Sequence, residues 1–215
     1  MIQWLYALFF PPKCILCRKL LNRQETDLCH SCRAETAEFT TAKRNIPFVE
    51  KWTAVWYYSG KVRQSLLRFK FYNARGYSTV YGKLLAMRLL REYPDGISLL
   101  SWIPISARRR RKRGYDQAEL LARAVGKELG IPVVPVLKKI RDTKPQSTIK
   151  DASMRRANVL GAYTPIDPAQ IPGKRILLLD DIITTGATVS ECARVLLTAG
   201  AKEVHCATVA AAPHK

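Results

Sequence analysis

Asp180 and Asp181 stand side by side at the end of an aliphatic run, Ile176-Leu177-Leu178-Leu179, and are followed by Ile182-Ile183-Thr184-Thr185-Gly186-Ala187-Thr188. A continuous aliphatic run is the pattern of a strand buried on both faces of a parallel sheet. The acid pair then falls at the carboxyl end of that strand, where open α/β sheets place their ligands. The loop leads into Val189–Thr198, whose apolar spacing predicts a helix. Loop N–H groups and a helix start form a site for a phosphate. Gly186 lets the backbone approach it closely, and Thr184, Thr185 and Thr188 add hydroxyl donors. Carboxylates repel a phosphate, so the pair suits neutral hydroxyls or a bridging metal ion; a sugar phosphate meets both demands. The plainer alternative is a buried strand, a polar turn and a helix cap. The order of strand, acid pair, glycine loop and helix favours the sugar phosphate. Neither G-x-x-x-x-G-K-[ST] nor a G-x-G-x-x-G after a strand occurs.

A second group of reactive residues lies near the amino terminus. Cys14-x-x-Cys17 and Cys29-x-x-Cys32 have the spacing that holds one tetrahedral Zn²⁺ through four thiolates. Four cysteine ligands leave no open position for water, so this zinc would be structural. Two disulfides are the rival reading and need an oxidising compartment. No secretory signal is evident, and Cys192 and Cys206 fall unpaired in a predicted helix and strand. Both facts favour zinc. His30 could replace one ligand, but reads more simply as a surface residue.

The chain has 215 residues, a net charge of +19 and a pI near 10.0. Such an excess favours a polyanionic partner such as nucleic acid, a nucleotide or an anionic membrane surface. Arg108-Arg109-Arg110-Arg111-Lys112-Arg113 is the densest run. Lys61, Arg63, Arg68, Lys70 and Arg75 form a second group, interleaved with Trp56, Tyr57, Tyr58, Phe69, Phe71 and Tyr72. Bases alternating with aromatics suit a single strand whose bases stack. Lys70, Arg75, Arg110, Arg111, Lys112 and Arg113 are therefore candidates for nucleic-acid contact, although the aromatics equally suit a core. Met1–Phe10 is nearly all apolar, but lacks a basic leader and a cleavage site and is too short to span a bilayer. It reads as a helix packing the cysteine segment onto the rest, and the expected location is cytoplasmic.

These residues must be positioned by a scaffold. Trp52–Tyr58 reads as a strand, Lys61–Tyr72 and Gly82–Glu92 as helices, and Ile97–Ile105 as a strand. Asp116–Leu129 has helical spacing and stops at Gly130; Ile131–Leu137 reads as a Val-rich strand. Residues 138–157 read as a mobile loop, Val159–Tyr163 as a short strand and Pro165 to Gly173 as a linker. A last strand covers Val204–Ala211. Strands alternating with helices predict an α/β fold, a parallel sheet with flanking helices. The expected division is 1–45 for the apolar helix and four-cysteine zinc knuckle, and 46–215 for the α/β domain.

The strand, acid pair and Thr-Gly-x-Thr loop resemble the phosphoribosyl pyrophosphate (PRPP) motif of the type I phosphoribosyltransferases. Arg113-Gly114-Tyr115-Asp116-Gln117-Ala118, Arg155-x-x-Asn158-Val159 downstream of Gln146, and the double C-x-x-C resemble the ComF competence proteins, of ComFC type. Tyr115 and Asp116 replace the Phe and Asn usual there. The resemblance implies that Asp180 and Asp181 bind the ribose hydroxyls and act in any transfer, and that Thr184, Thr185, Gly186, Ala187 and Thr188 hold the phosphate. It implies pyrophosphate, with Mg²⁺, near Ser106, with charge from Arg108, Arg109 or Lys144. It implies a role in handling single-stranded DNA during natural transformation, with competence-machinery proteins as partners. A nucleobase phosphoribosyltransferase of salvage metabolism and a PRPP-sensing regulator are the alternatives.

Overall fold

A computed structural model describes residues 11–40, 45–93, 96–143, 149 and 151–213. The expected Met1–Phe10 helix lies outside them. The order is α1 (His30–Glu35), β1 (Trp52–Tyr57), α2 (Gly60–Phe71), α3 (Tyr77–Glu92), β2 (Leu99–Trp102), α4 (Ala107–Arg113), α5 (Gln117–Leu129) and β3 (Leu137–Lys139). There follow α6 (Ala152–Val159), β4 (Tyr163–Pro165), a 3₁₀ turn at Pro168–Gln170, β5 (Arg175–Ile183), α7 (Ala187–Thr198) and β6 (Glu203–Ala211).

The main sheet runs β1-β6-β5-β2 and every pairing in it is parallel. β5 is central because its aliphatic residues serve two layers. Leu177 and Leu179 pack into the core shared with α2, α3 and α5, whereas Ile176 and Leu178 enter the core under α7. Alternation of side chains along a strand produces this division. α2 buries Val62, Ser65, Leu66 and Phe69, a stripe at helical spacing. Burying its three apolar members contributes about 1.5–3 kcal/mol each.

α3 and α5 cross at Gly82, where a Cβ would lie 2.4 Å from the Ala124 Cβ. Glycine weakens a helix interior, but here its missing side chain permits the contact. Gly82→Val is expected to cost about 2–3 kcal/mol in urea unfolding, against less than about 0.5 kcal/mol for Gly76→Ala, which meets nothing within 4 Å. Equal midpoints for the two variants would contradict this packing.

Several boundaries differ from the expectation. The strand expected over Ile131–Leu137 does not form before Leu137, where β3 begins: Pro132 and Pro135 lack the N–H a ladder needs, and Val133 alone bridges to Leu100. The strand expected over 97–105 shortens to β2, because Pro104 follows Ile103, whose N–H still reaches Leu179 at 3.0 Å. α3 begins five residues before Gly82. Within 138–157, residues 152–157 belong to α6, capped by Asp151, which accepts from the Met154 N–H at 2.9 Å. Val159 closes that helix, and the strand that follows is β4, antiparallel to β3. The basic run is itself the helix α4. Ser106 caps it, accepting from the Arg109 N–H at 3.3 Å.

Candidate functional site

β5 extends through both acids to Ile183, and Gly186 then turns the chain into α7 at φ 82°. A Cβ at Gly186 would meet Ile46 side-chain atoms at 2.9–3.2 Å, so both the backbone angle and the contact require glycine there. The Thr185 hydroxyl accepts from the Ala187 N–H at 3.4 Å. The amino-terminal end of α7, with the positive end of its dipole, therefore opens on the tip of the sheet.

A cleft of about 860 Å³ lies there, within the range of small-molecule sites. Its lining includes Asp180 and Asp181, the whole Thr184–Thr188 loop, Ile103–Ile105 after β2, and Lys70 and Phe71 from α2. Among the described residues, seven bases line it (Arg63, Lys70, Arg109, Lys112, Arg113, Lys139 and Arg155) against three carboxylates (Asp116, Asp180 and Asp181). That balance suits a ligand with several negative charges.

The two acids differ in surroundings. Asp181 is 5% exposed, and its Oδ2 lies 2.7 Å from Lys70 Nζ. The Asp181 N–H donates to Asp180 Oδ1 at 2.8 Å. Burial pushes the Asp180 carboxyl well above the usual carboxylate range, and the charge of Asp181 adds to this; the Lys70 ammonium opposes both. On the other side, Lys139 donates to the Thr143 hydroxyl at 2.9 Å and lies over the Tyr163 ring. Burial, then the charge of Arg109, brings its ammonium down to about 8. Arg109 donates to the Thr143 carbonyl at 2.6 Å, so Thr143 links both cations.

Of the described residues expected at pyrophosphate, only Arg109 lines the cleft. Ser106 is occupied as a cap and donates to Asp142 Oδ1 at 2.8 Å; Arg108, 82% exposed, lies 3.7 Å from Asp142. Lys144 lies outside the described residues. The expected nucleic-acid group divides as well. Lys70, Lys112 and Arg113 line the cleft, and Arg113 also covers the Phe71 ring. Arg75 stacks on Tyr115, Arg110 pairs with Glu119 at 3.1 Å and Arg111 is exposed. Sequence reading missed Lys139 and Arg155 in the cleft, and it placed Lys70 only on a nucleic-acid face.

Asp116 shows why a carboxylate can stand at its position. One oxygen accepts from the Ala118 and Glu119 N–H groups, and the other from Ile105 N–H at 3.0 Å. An amide has one acceptor oxygen and would lose part of this clamp.

The cysteine group is separate. The sulfurs of Cys14, Cys17, Cys29 and Cys32 all lie within 4.8 Å of one another, and Cys17 and Cys29 are 3.6 Å apart. A tetrahedron with Zn–S bonds of 2.3 Å has edges of about 3.8 Å. None of these cysteines is in a disulfide. The Ser31 hydroxyl 3.4 Å from Cys29, with the Cys32 N–H, lowers the Cys29 thiol to about 6, whereas burial pushes the Cys17 and Cys32 thiols up. The site fits one structural zinc. Cys192 and Cys206 are buried in the α/β core. Among the described residues, no helix is long and apolar enough to cross a membrane.

Residues 115–215 match the phosphoribosyl transferase domain, and residues 5–44 the double zinc ribbon domain. Competence protein F of Haemophilus influenzae is 27% identical, the match covering 91% of this chain and 95% of that protein. Competence protein ComFC of Bacillus subtilis is 26% identical over 87% of this chain and 78% of its own length. DNA utilization protein YhgH of Salmonella typhimurium is 26% identical over 89% and 86%, respectively. A parallel sheet of phosphoribosyltransferase type, a four-cysteine ribbon before it and full-length similarity to the competence proteins together place this chain in the ComF family.

Proposed function

We propose that the cleft binds PRPP and that the protein handles single-stranded DNA. The observation that carries the first half is the single concave surface formed by the acid pair, the Thr-Gly loop and the start of α7, opposite a wall of cations. Asp180 and Asp181 accept hydrogen bonds from the ribose diol. The Thr184–Thr188 loop donates to the 5-phosphate through hydroxyls and N–H groups. Arg109 and Lys139 face the pyrophosphate. Mg²⁺ bound with the pyrophosphate would supply further neutralisation of leaving-group charge beside Arg109 and Lys139. In a transfer, the bond from the anomeric carbon to pyrophosphate breaks, the pyrophosphate leaving with the electron pair, while a nitrogen nucleophile forms the new bond at that carbon and the acids steady the cationic sugar centre between them. The DNA half is supported by the net charge of +19 and by the competence and DNA-utilization relatives.

Calorimetry of the full chain with PRPP and Mg²⁺, then with a short single-stranded oligonucleotide, tests both halves. Saturable PRPP binding is expected, together with oligonucleotide affinity that falls steeply with salt. Heats no larger than dilution for PRPP would remove the first half. An oligonucleotide that fails to bind at low salt would remove the second.

A further inference from the structure

Lys70 stands apart from the strand-loop-helix unit that supplies the rest of the acid-pair wall. It comes from α2, yet its ammonium lies 2.7 Å from Asp181 Oδ2, with side-chain exposures of 22% and 7%. Two adjacent carboxylates at a buried strand end repel each other and also repel a phosphorylated sugar. An ammonium against one of them lessens both costs. The contact is made through Oδ2.

The helix carrying Lys70 is anchored at its far side. Ser65 Oγ donates to the Ile15 carbonyl at 2.5 Å, and Arg68 donates to the Ile15 and Leu16 carbonyls at 3.0 and 2.6 Å. Those carbonyls lie between Cys14 and Cys17, within the metal loop. Lys61 adds an ion pair to Glu35 at 2.8 Å. Bonds to the ribbon thus fix α2 two residues before Lys70.

We propose that Lys70 is a positioning residue of the sugar-phosphate site, acting through Asp181: its ammonium offsets the charge of that carboxylate and orients it for the ligand diol. The proposal rests on the reading of the cleft as a PRPP site.

The test is calorimetry of PRPP with Mg²⁺, and of ribose 5-phosphate alone, on the wild-type chain and on K70M, K70R, D181N and K70M/D181N. K70M is expected to bind about tenfold or more weakly, and K70R within about fivefold of wild type, because the charge is what acts. The double variant should bind no more weakly than D181N alone, since a residue acting through Asp181 has nothing left to act on. Wild-type affinity in K70M would overturn the proposal, and so would losses that add in the double variant. K70Q replaces K70M if the latter does not give a cooperative thermal melt. A wild-type chain that binds neither ligand removes the cleft reading and this proposal with it. A wild type that binds, beside a K70M that binds equally, removes Lys70 alone.

Discussion

Cys32→Ser is expected to destabilise the protein by at least about 4 kcal/mol and to abolish stoichiometric zinc. Cys32 is fully buried, and its sulfur is one of the four in the cluster. Serine is a weak zinc ligand, and the binding free energy of a structural zinc is largely folding free energy. The damage should spread beyond the ribbon. Cys14, Ile15, Leu16, Leu28 and Cys29 belong to the same core as Phe69, Tyr81 and Leu177. Denaturant unfolding with metal analysis of the purified chain measures both effects. Cys192→Ala, in the other core, is the comparison: it should keep one zinc per chain and lose about 1–2 kcal/mol. One zinc per chain and unchanged stability in Cys32→Ser would refute the four-thiolate assignment.

Asp181→Asn should lower PRPP affinity about 100-fold or more, equivalent to about 2.7 kcal/mol. Asparagine is nearly isosteric, so the cleft keeps its shape. The amide carries no charge, and it leaves the Lys70 ammonium without the partner now 2.7 Å away. Truncating one member of such a pair strands the other, which makes the expected loss larger than one hydrogen bond. Glu128→Gln, on the exposed side of α5, is the matched charge control and should bind PRPP like the wild type. Equal affinity in Asp181→Asn and Glu128→Gln would remove Asp181 from the site.

The sequence was most legible where its information is local. β5 and the glycine turn follow from consecutive residues, and the two C-x-x-C pairs from fixed spacing. The parallel sheet followed from alternating strand and helix patterns. Hydrophobic content misled over 131–137, where Pro132 and Pro135 overrule the valines. It was silent over 152–159, a short helix rich in polar residues whose one sequence signal is the Asp151 cap. The opposite wall of the cleft was harder to see. Lys70 reaches Asp181 from α2 and Lys139 enters the cleft from β3, and no neighbouring motif identifies either. Adjacent arginines were treated alike, yet a helix turns about 100° per residue, so Arg109 faces the cleft while Arg108 faces solvent. Ser106 could have been read as the cap of that helix.

The outer strands have a further consequence for how copies of this protein meet. Among the described residues, β1 is flanked by an antiparallel bridge between Glu38 and Trp56, and β2 by the bridge between Leu100 and Val133 in its proline-flanked segment. Each short cover takes up hydrogen-bonding groups on the outer side of its strand, and Pro132 and Pro135 withhold two N–H groups from any further pairing along the second. Both covers work against edge-on growth into larger aggregates, and repulsion between copies at a charge of +19 acts in the same direction.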